Sequence, residues 1–283
     1  MGILVPPSIS MVVYGGLTNI SIAALFAAGF LPAFIPAIIL MGQMYLEAKH
    51  ANIPVQKRAT FKEFLTALRN SFWALLMPLI IFGGILGGIF TPTESAVVAV
   101  VYALLVGIVI YKKITFSTLT DVFMGTAQTT GVVMLLIASS SILAWYLTIQ
   151  EIPRIVTDYL IAENVSNTVF IFFVIFLFLF LGCIMEGIAA MIMVVPLLMP
   201  VFKIMGIDPL HAGIIIVATV GIGLFTPPVG AALFVACSIG KVTIEECTKA
   251  MLPYLITVTV CILLMVFFPS VVTIIPKVLG LAK

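Results

Sequence analysis

Adjacent prolines occur at Pro6-Pro7 and again at Pro227-Pro228, each pair inside an apolar run. A proline pair removes two backbone donors and its rings clash with the preceding turn, so neither run can be one continuous helix. The surroundings of the two pairs also match. Gly2-Ile3-Leu4-Val5-Pro6-Pro7-Ser8 aligns with Gly223-Leu224-Phe225-Thr226-Pro227-Pro228-Val229, and Leu31-Pro32 aligns with Leu252-Pro253, all at an offset of 221 residues. One offset shared by four separate features marks an internal repeat built around a broken helix.

Where a broken helix can exist depends on its solvent. The chain of 283 residues carries 13 Lys and Arg and 11 Asp and Glu, only 8% charged against 63% hydrophobic, with a mean hydropathy of +1.33. Soluble domains carry roughly a quarter charged residues. A polar coat for a chain of this length cannot be made from so few. The composition excludes a cytosolic enzyme, a nucleic-acid binder (the net charge is +2) and a disordered chain. It leaves an all-α polytopic membrane protein. Non-helical backbone at membrane depth is tolerated only where protein buries it or it lines a cavity.

Apolar stretches fall at about 9–18, 20–46, 71–90, 95–111, 126–148, 168–205, 209–240 and 243–268. A single crossing takes ~20 residues. The run 168–205 is nearly twice that and is interrupted by Gly182-Cys183-Ile184-Met185-Glu186-Gly187, which suggests a re-entrant helical hairpin. Two full spans remain the alternative. The run 209–240 is the second broken helix. Segments 60–70 and 114–123 read as amphipathic arms leading into membrane helices, either lying on a scaffold or serving as solvated linkers. Segment 152–161 is a third. Trp73 and Trp145 fit interfacial positions near helix ends.

Placing 47–70 in the cytoplasm puts Lys49, Lys57, Arg58, Lys62, Arg69, Lys112, Lys113, Lys241 and Lys249 on that side. Arg154, Lys203, Lys277 and Lys283 then lie outside, with the C-terminus. This obeys the positive-inside rule. Four crossings separate the two broken helices, so the copies run antiparallel, as in inverted-repeat secondary transporters. The second copy is preceded by a hairpin and by the first half of its broken helix, whereas Gly2 is the second residue. The repeat therefore predicts about 140 or more further residues on the N-terminal side of a complete protein.

The stretches GILVPPSISMVVYG, TPTESAVVAVVYALLVG, GIDPLHAGIIIV and GIGLFTPPVGAALFVACSIGKVTIEE resemble the large membrane subunit of TRAP transporters, of the DctM/SiaM type, over essentially the whole chain. The resemblance implies an elevator-type fold. Residues 1–46 and 168–283 would form parts of a mobile transport domain, 47–148 scaffold helices with arms, and 149–167 an external arm or linker. It implies a bacterial inner-membrane importer of a small organic anion, a dicarboxylate or sugar acid. Na⁺ would be the coupling ion with no other cofactor. The partners would be a small four-helix membrane subunit and a periplasmic substrate-binding protein. It also implies two sodium sites. One uses Gly182 with Gly223, Thr226 and Val229. The other uses Gly2, Val5 and Pro6, completed by oxygens of a hairpin outside this sequence. Substrate contacts would come from Pro7, Ser8, Glu186, Gly187 and Pro228. The family commonly has Asp-Pro where this chain has Glu186-Gly187, so Glu186 has a second reading, as a cap on the helix that follows. Glu94, behind Thr91-Pro92, reads as a helix start.

No HExxH, paired-Asp or Ser/His arrangement supports an intramembrane enzyme, and no GxxxxGK[ST] supports an ATPase. A channel does not explain the inverted breaks. A sodium-dicarboxylate carrier acting without a binding protein is the nearest rival, and an inactive fragment is a further alternative. Cys183, Cys237, Cys247 and Cys261 show no metal-binding spacing and read as packing residues. His50 and His211 are isolated.

Overall fold

The computed structural model describes residues 2–50, 58–227 and 230–281; Lys57, Pro228, Val229 and Lys283 lie outside these. Every regular element among the described residues is helical. In chain order they are α1 (Ile9–Thr18), α2 (Ile22–His50), α3 (Phe61–Leu86), α4 (Pro92–Leu105), which widens into a π turn at Val106–Ile110, α5 (Phe116–Ile149) and α6 (Ile152–Ala162). There follow α7 (Asn167–Ile184), α8 (Gly187–Met205), α9 (Pro209–Gly223), α10 (Ala231–Gly240), α11 (Ile244–Phe267) and α12 (Ser270–Val278). Seven of these, α2, α3, α4 with its π turn, α5, α7, α8 and α11, are long and apolar enough to cross a membrane. The chain is a polytopic helical membrane protein.

The repeat is visible in the elements. Both breaks are followed by a ten-residue helix, α1 and α10, that ends on a left-handed residue, Asn19 (φ 58°) or Lys241 (φ 52°). A Ser or Thr then caps the next long helix. Ser21 accepts from Ala24 N at 3.3 Å, and Thr243 from Glu246 N at 3.3 Å. The capping side chain satisfies a donor that the first turn leaves orphaned. Pro32 and Pro253 lie at matching places within α2 and α11.

Contacts divide the chain into two units. The first, Met1–Met44 with Val133–Lys283, is organised around α9. Thirteen of the fifteen α9 residues are buried, because a helix apolar on all sides has no solvated face to offer. Helices α7, α8, α11, α1 and α12 pack around it. Helices α7 and α8 form a hairpin joined by Met185-Glu186, and Asn167 Nδ2 donates to Met205 O at 3.1 Å to close its open end. At 18 and 19 residues, each arm is about 27–29 Å long. Helix α6 packs on α8 and buries Thr157, so 152–162 is a packed element. Helix α12, capping the far end of the chain, was not expected from the apolar runs.

The second unit, Tyr45–Val132, contains an antiparallel pair, α3 and α4 with its π turn, besides the end of α2 and the first half of α5. Three hydroxyls of the second helix of this pair and its C-cap bind α3 carbonyls: Ser95 to Ile81 O at 3.4 Å, Tyr102 to Trp73 O at 2.7 Å and Tyr111 to Asn70 O at 3.1 Å. Thr60 with Glu63 and Thr91 with Glu94 form reciprocal capping boxes, which confirms the Glu94 helix start. Each arm is continuous with the run behind it: residues 61–70 are the first turns of α3, and 116–123 those of α5. Trp73 consequently sits in the middle of α3 rather than near an end, whereas Trp145 stays near the end of α5. The apolar residues of these helices, such as Phe61, Val100 and Phe123, are largely exposed, as surfaces for lipid or partner helices are.

Candidate functional site

Three elements meet at the last turn of α9. The hairpin tip comes first. A Cβ on Gly182 would fall 2.8 Å from the Cα of Gly223, and one on Gly223 would fall 2.7 Å from the Cα of Gly182. Real carbon contacts lie near 3.5–4.0 Å. The two backbones touch, and only glycine on both sides allows it. The other side of the tip, Gly187, lies against the Val220 side chain, again too close for a Cβ. The second broken helix starts from the same turn, at Gly223. The first break arrives from the far end of the sequence: Ile3 packs on Gly221, while Leu4 O lies over Gly29 of α2.

Two helix C-termini therefore converge, α7 at Ile184 and α9 at Gly223. Each carries about half a negative charge on carbonyls that lack intrahelical donors. No backbone N–H of the described residues reaches the carbonyls of Gly182, Cys183 or Gly221. The Gly223 carbonyl accepts from Thr226 N at 3.1 Å, and Thr226 Oγ1 donates to Ile222 O at 2.9 Å. The Thr226 hydroxyl oxygen keeps its lone pairs for another partner. Beyond it the chain folds over itself: Ala232 N donates to Leu224 O at 3.0 Å, and Gly230 (φ 22°) is crowded by the carbonyls of Thr226 and Leu224. Helix α10 begins there without a side-chain cap.

Carbonyl oxygens at negative helix ends suit a hard cation, which prefers oxygen donors. No group of three or more His, Cys, Asp or Glu occurs among the described residues. His50 Nδ1 pairs with Leu46 O at 2.7 Å, and His211 Nε2 with Met265 O at 2.9 Å.

The expected site residues divide accordingly. Gly182, Gly187, Gly223 and Thr226 come together. Val229 and Pro228 lie outside the described residues. In the first break Gly2, Val5 and Pro7 are exposed and Pro6 is buried. Ser8 is buried, and its hydroxyl accepts from Met11 N at 3.4 Å, so it caps α1. Glu186 is exposed and accepts from Ala189 N at 3.0 Å, so its carboxylate sits on the N-terminus of α8. That is the capping role, and it places the chain's own negative charge on the positive end of α8.

Sequence reasoning missed Ile3, Val220 and Gly221. It also missed a lock at the other end of α9. Tyr14 of α1 is fully buried, its ring lies against Gly213, and its hydroxyl donates to Pro209 O at 2.8 Å. The glycines of α9, at 213, 221 and 223, were the available signal, since small residues in membrane helices let neighbours approach. Above this turn an apolar cavity of about 160 Å³ is lined by Ile3, Pro32, Gly221, Phe225, Met251 and Val258, among others.

The family described as "Tripartite ATP-independent periplasmic transporter, DctM component" matches residues 1–271. Among curated relatives, the sialic acid TRAP transporter permease protein SiaT of Haemophilus influenzae is 37% identical over 99% of this chain and 45% of its own length. The 2,3-diketo-L-gulonate TRAP transporter large permease protein YiaN of Escherichia coli is 37% identical over 95% of this chain and 63% of its own. The C4-dicarboxylate TRAP transporter large permease protein DctM of Pseudomonas aeruginosa is 36% identical over the whole of this chain and 66% of its own. The chain thus spans about two-thirds of such relatives, or less.

Proposed function

Because the chain belongs to the DctM family of tripartite ATP-independent periplasmic transporter permeases, a family of transporters and not of enzymes, we propose that it carries the second half of a sodium-coupled transport site for a small organic anion. The observation that carries this reading is the convergence at α9. Hairpin tip, second break and first break meet on one turn, with two helix C-termini facing each other at Gly182 and Gly223. A sodium ion placed there would take oxygens from Gly182, from the last turn of α9 and from Thr226. It would tie the tip to the broken helix. The first break, at Gly2, Val5 and Pro6, would contribute to a second ion, and Pro7, Ser8 and Gly187 would face the anion. Movement of this unit as a block would give alternating access.

The relatives' names mention sialic acid, 2,3-diketo-L-gulonate and C4-dicarboxylates. All are acids, and an organic carboxylate is the substrate class proposed here. A small membrane subunit and a periplasmic binding protein would be the partners, in the bacterial inner membrane with the C-terminus outside. The test is uptake of labelled C4-dicarboxylate and of sialic acid by cells producing this protein with its small subunit and binding protein. Uptake should need a sodium gradient and should fail when the binding protein is deleted. Uptake driven equally well in potassium would sink the sodium reading. Sodium-driven uptake that survives deletion would favour a carrier acting alone.

A further inference from the structure

The turn between α10 and α11 gathers three sulfur atoms that the transport reading does not use. Cys237, near the end of α10, is buried and its Sγ donates to Thr243 O at 3.9 Å. The same carbonyl accepts the backbone N–H of Cys247, in the first turn of α11, at 3.0 Å. One oxygen thus pins both cysteines at the same turn. One helical turn further on, Met251 Sδ lies 3.6 Å from Cys247 Sγ.

The internal repeat supports this pairing independently. Across this turn the copies run at an offset of 222, as the caps Asn19 and Lys241 and Ser21 and Thr243 show. The places of Cys237 and Cys247 are held in the first copy by Gly15 and Leu25. A Cβ on Gly15 would lie 3.2 Å from Leu25 Cδ1. The architecture brings these two positions together in both copies, and in the second copy both carry sulfur.

We propose that Cys237, Cys247 and Met251 form a binding site for one soft monovalent cation of the Cu(I) or Ag(I) type. Thiolate and thioether ligands select such ions over hard cations. Three sulfurs at ~2.3 Å from one ion stand about 4 Å apart; Cys247 and Met251, at 3.6 Å, are already near that spacing, and Cys237, held on the adjoining Thr243 carbonyl, would turn its thiol to complete the set. The balance is simple: the ion displaces one proton from each cysteine to water, both thiolates bind it, and Met251 adds a neutral third ligand with no change of oxidation state. Cys247 and Met251 are half-buried and the flanking Lys241 and Thr243 are exposed, which leaves an entry path. Bound metal would strap α10, the second half of the broken helix, to the start of α11. The proposal stands apart from the sodium site, and its test reads metal binding, not transport.

The full chain, reduced and kept under anaerobic conditions, is titrated with Cu(I) against a competing chromogenic chelator. One Cu(I) per chain with a thiolate-to-copper absorption band is expected. Loss of an outer-shell partner costs 10–100-fold in metal affinity, so Cys237→Ser and Cys247→Ser, which each remove a direct ligand, should weaken binding roughly 100-fold or more. Met251→Leu should weaken it less, and Cys183→Ser or Cys261→Ser not at all. The unmutated chain supplies a control that needs no refolding. Ag(I) should protect Cys237 and Cys247 from alkylation while leaving Cys183 and Cys261 as they were, and cleavage at Lys241 separates the pair onto two peptides. Binding that survives both serine variants, unchanged alkylation at Cys237 and Cys247, or a reduced chain that takes up no Cu(I) would overturn the site.

Discussion

The Gly182–Gly223 contact can be tested by adding one carbon. In Gly223→Ala the new Cβ would sit 2.7 Å from Gly182 Cα and 3.1 Å from Gly182 C. These are backbone atoms and cannot swing away as a side chain can. Against a normal separation of 3.5–4.0 Å, the hairpin tip must retreat by about 1 Å. Overpacking of this kind costs about 1–3 kcal/mol, partly offset by the better helix propensity of alanine, about 1 kcal/mol. The larger effect falls on an ion held from both sides, because a shift of about 1 Å is several times the tolerance of a cation–oxygen bond. A tenfold loss of sodium affinity is therefore the minimum expected. At sodium a hundredfold above Kd, ligand linkage stabilises the chain by about 2.7 kcal/mol, and a tenfold weaker site leaves about 1.4 kcal/mol. For a chain of this size the difference, about 1.3 kcal/mol, is about 2–3 °C in melting temperature. The assay compares melting of the two proteins in NaCl and in KCl at equal ionic strength. Gly16→Ala, at an exposed helical glycine with nothing within 4 Å, is the control. A sodium-specific shift in Gly223→Ala as large as in the unmutated chain would refute the reasoning, and no sodium-specific shift in the unmutated chain would refute the site.

Two other substitutions separate packing from binding. Glu186→Gln keeps the shape of the α8 cap and weakens its charge–dipole interaction, so it should cost no more than about 1 kcal/mol and leave the sodium shift intact. A collapse of the shift would assign Glu186 to the ion site instead. Tyr14→Phe removes the hydroxyl bound to Pro209 O and should lower stability by about 1 kcal/mol. Gly213→Ala should cost more, through collision with the Tyr14 ring, and should be relieved in a Tyr14→Leu background. Equal costs in both backgrounds would show that the ring is not what Gly213 accommodates.

The readable part of this protein was local. Proline pairs, runs of apolar residues and the Pro92–Glu94 helix start each act within a few residues, so the breaks, the spans, the hairpin arms and that one start could be placed from the chain alone. The repeat was readable because it restates such local features at a fixed offset. The arms at 60–70 and 114–123 were harder, because amphipathic and apolar periodicity join without a stop signal and the helix simply continues. The pairing of Gly182 with Gly223 was reached through family resemblance, not through spacing.

Residue pattern alone therefore determined a helical membrane chain with two broken elements in a repeat. Proline cannot donate, and hydrocarbon will not solvate a freed carbonyl. Only the tertiary structure decided which turn receives the breaks. Ile3 lies 218 residues before Gly221, and Gly182 lies 41 before Gly223. No sequence period links such positions; what links them is that α9 is buried on every side and each glycine along it lets a neighbour in. The same holds for the three sulfurs, which share no motif and meet because the α10–α11 turn closes on Thr243.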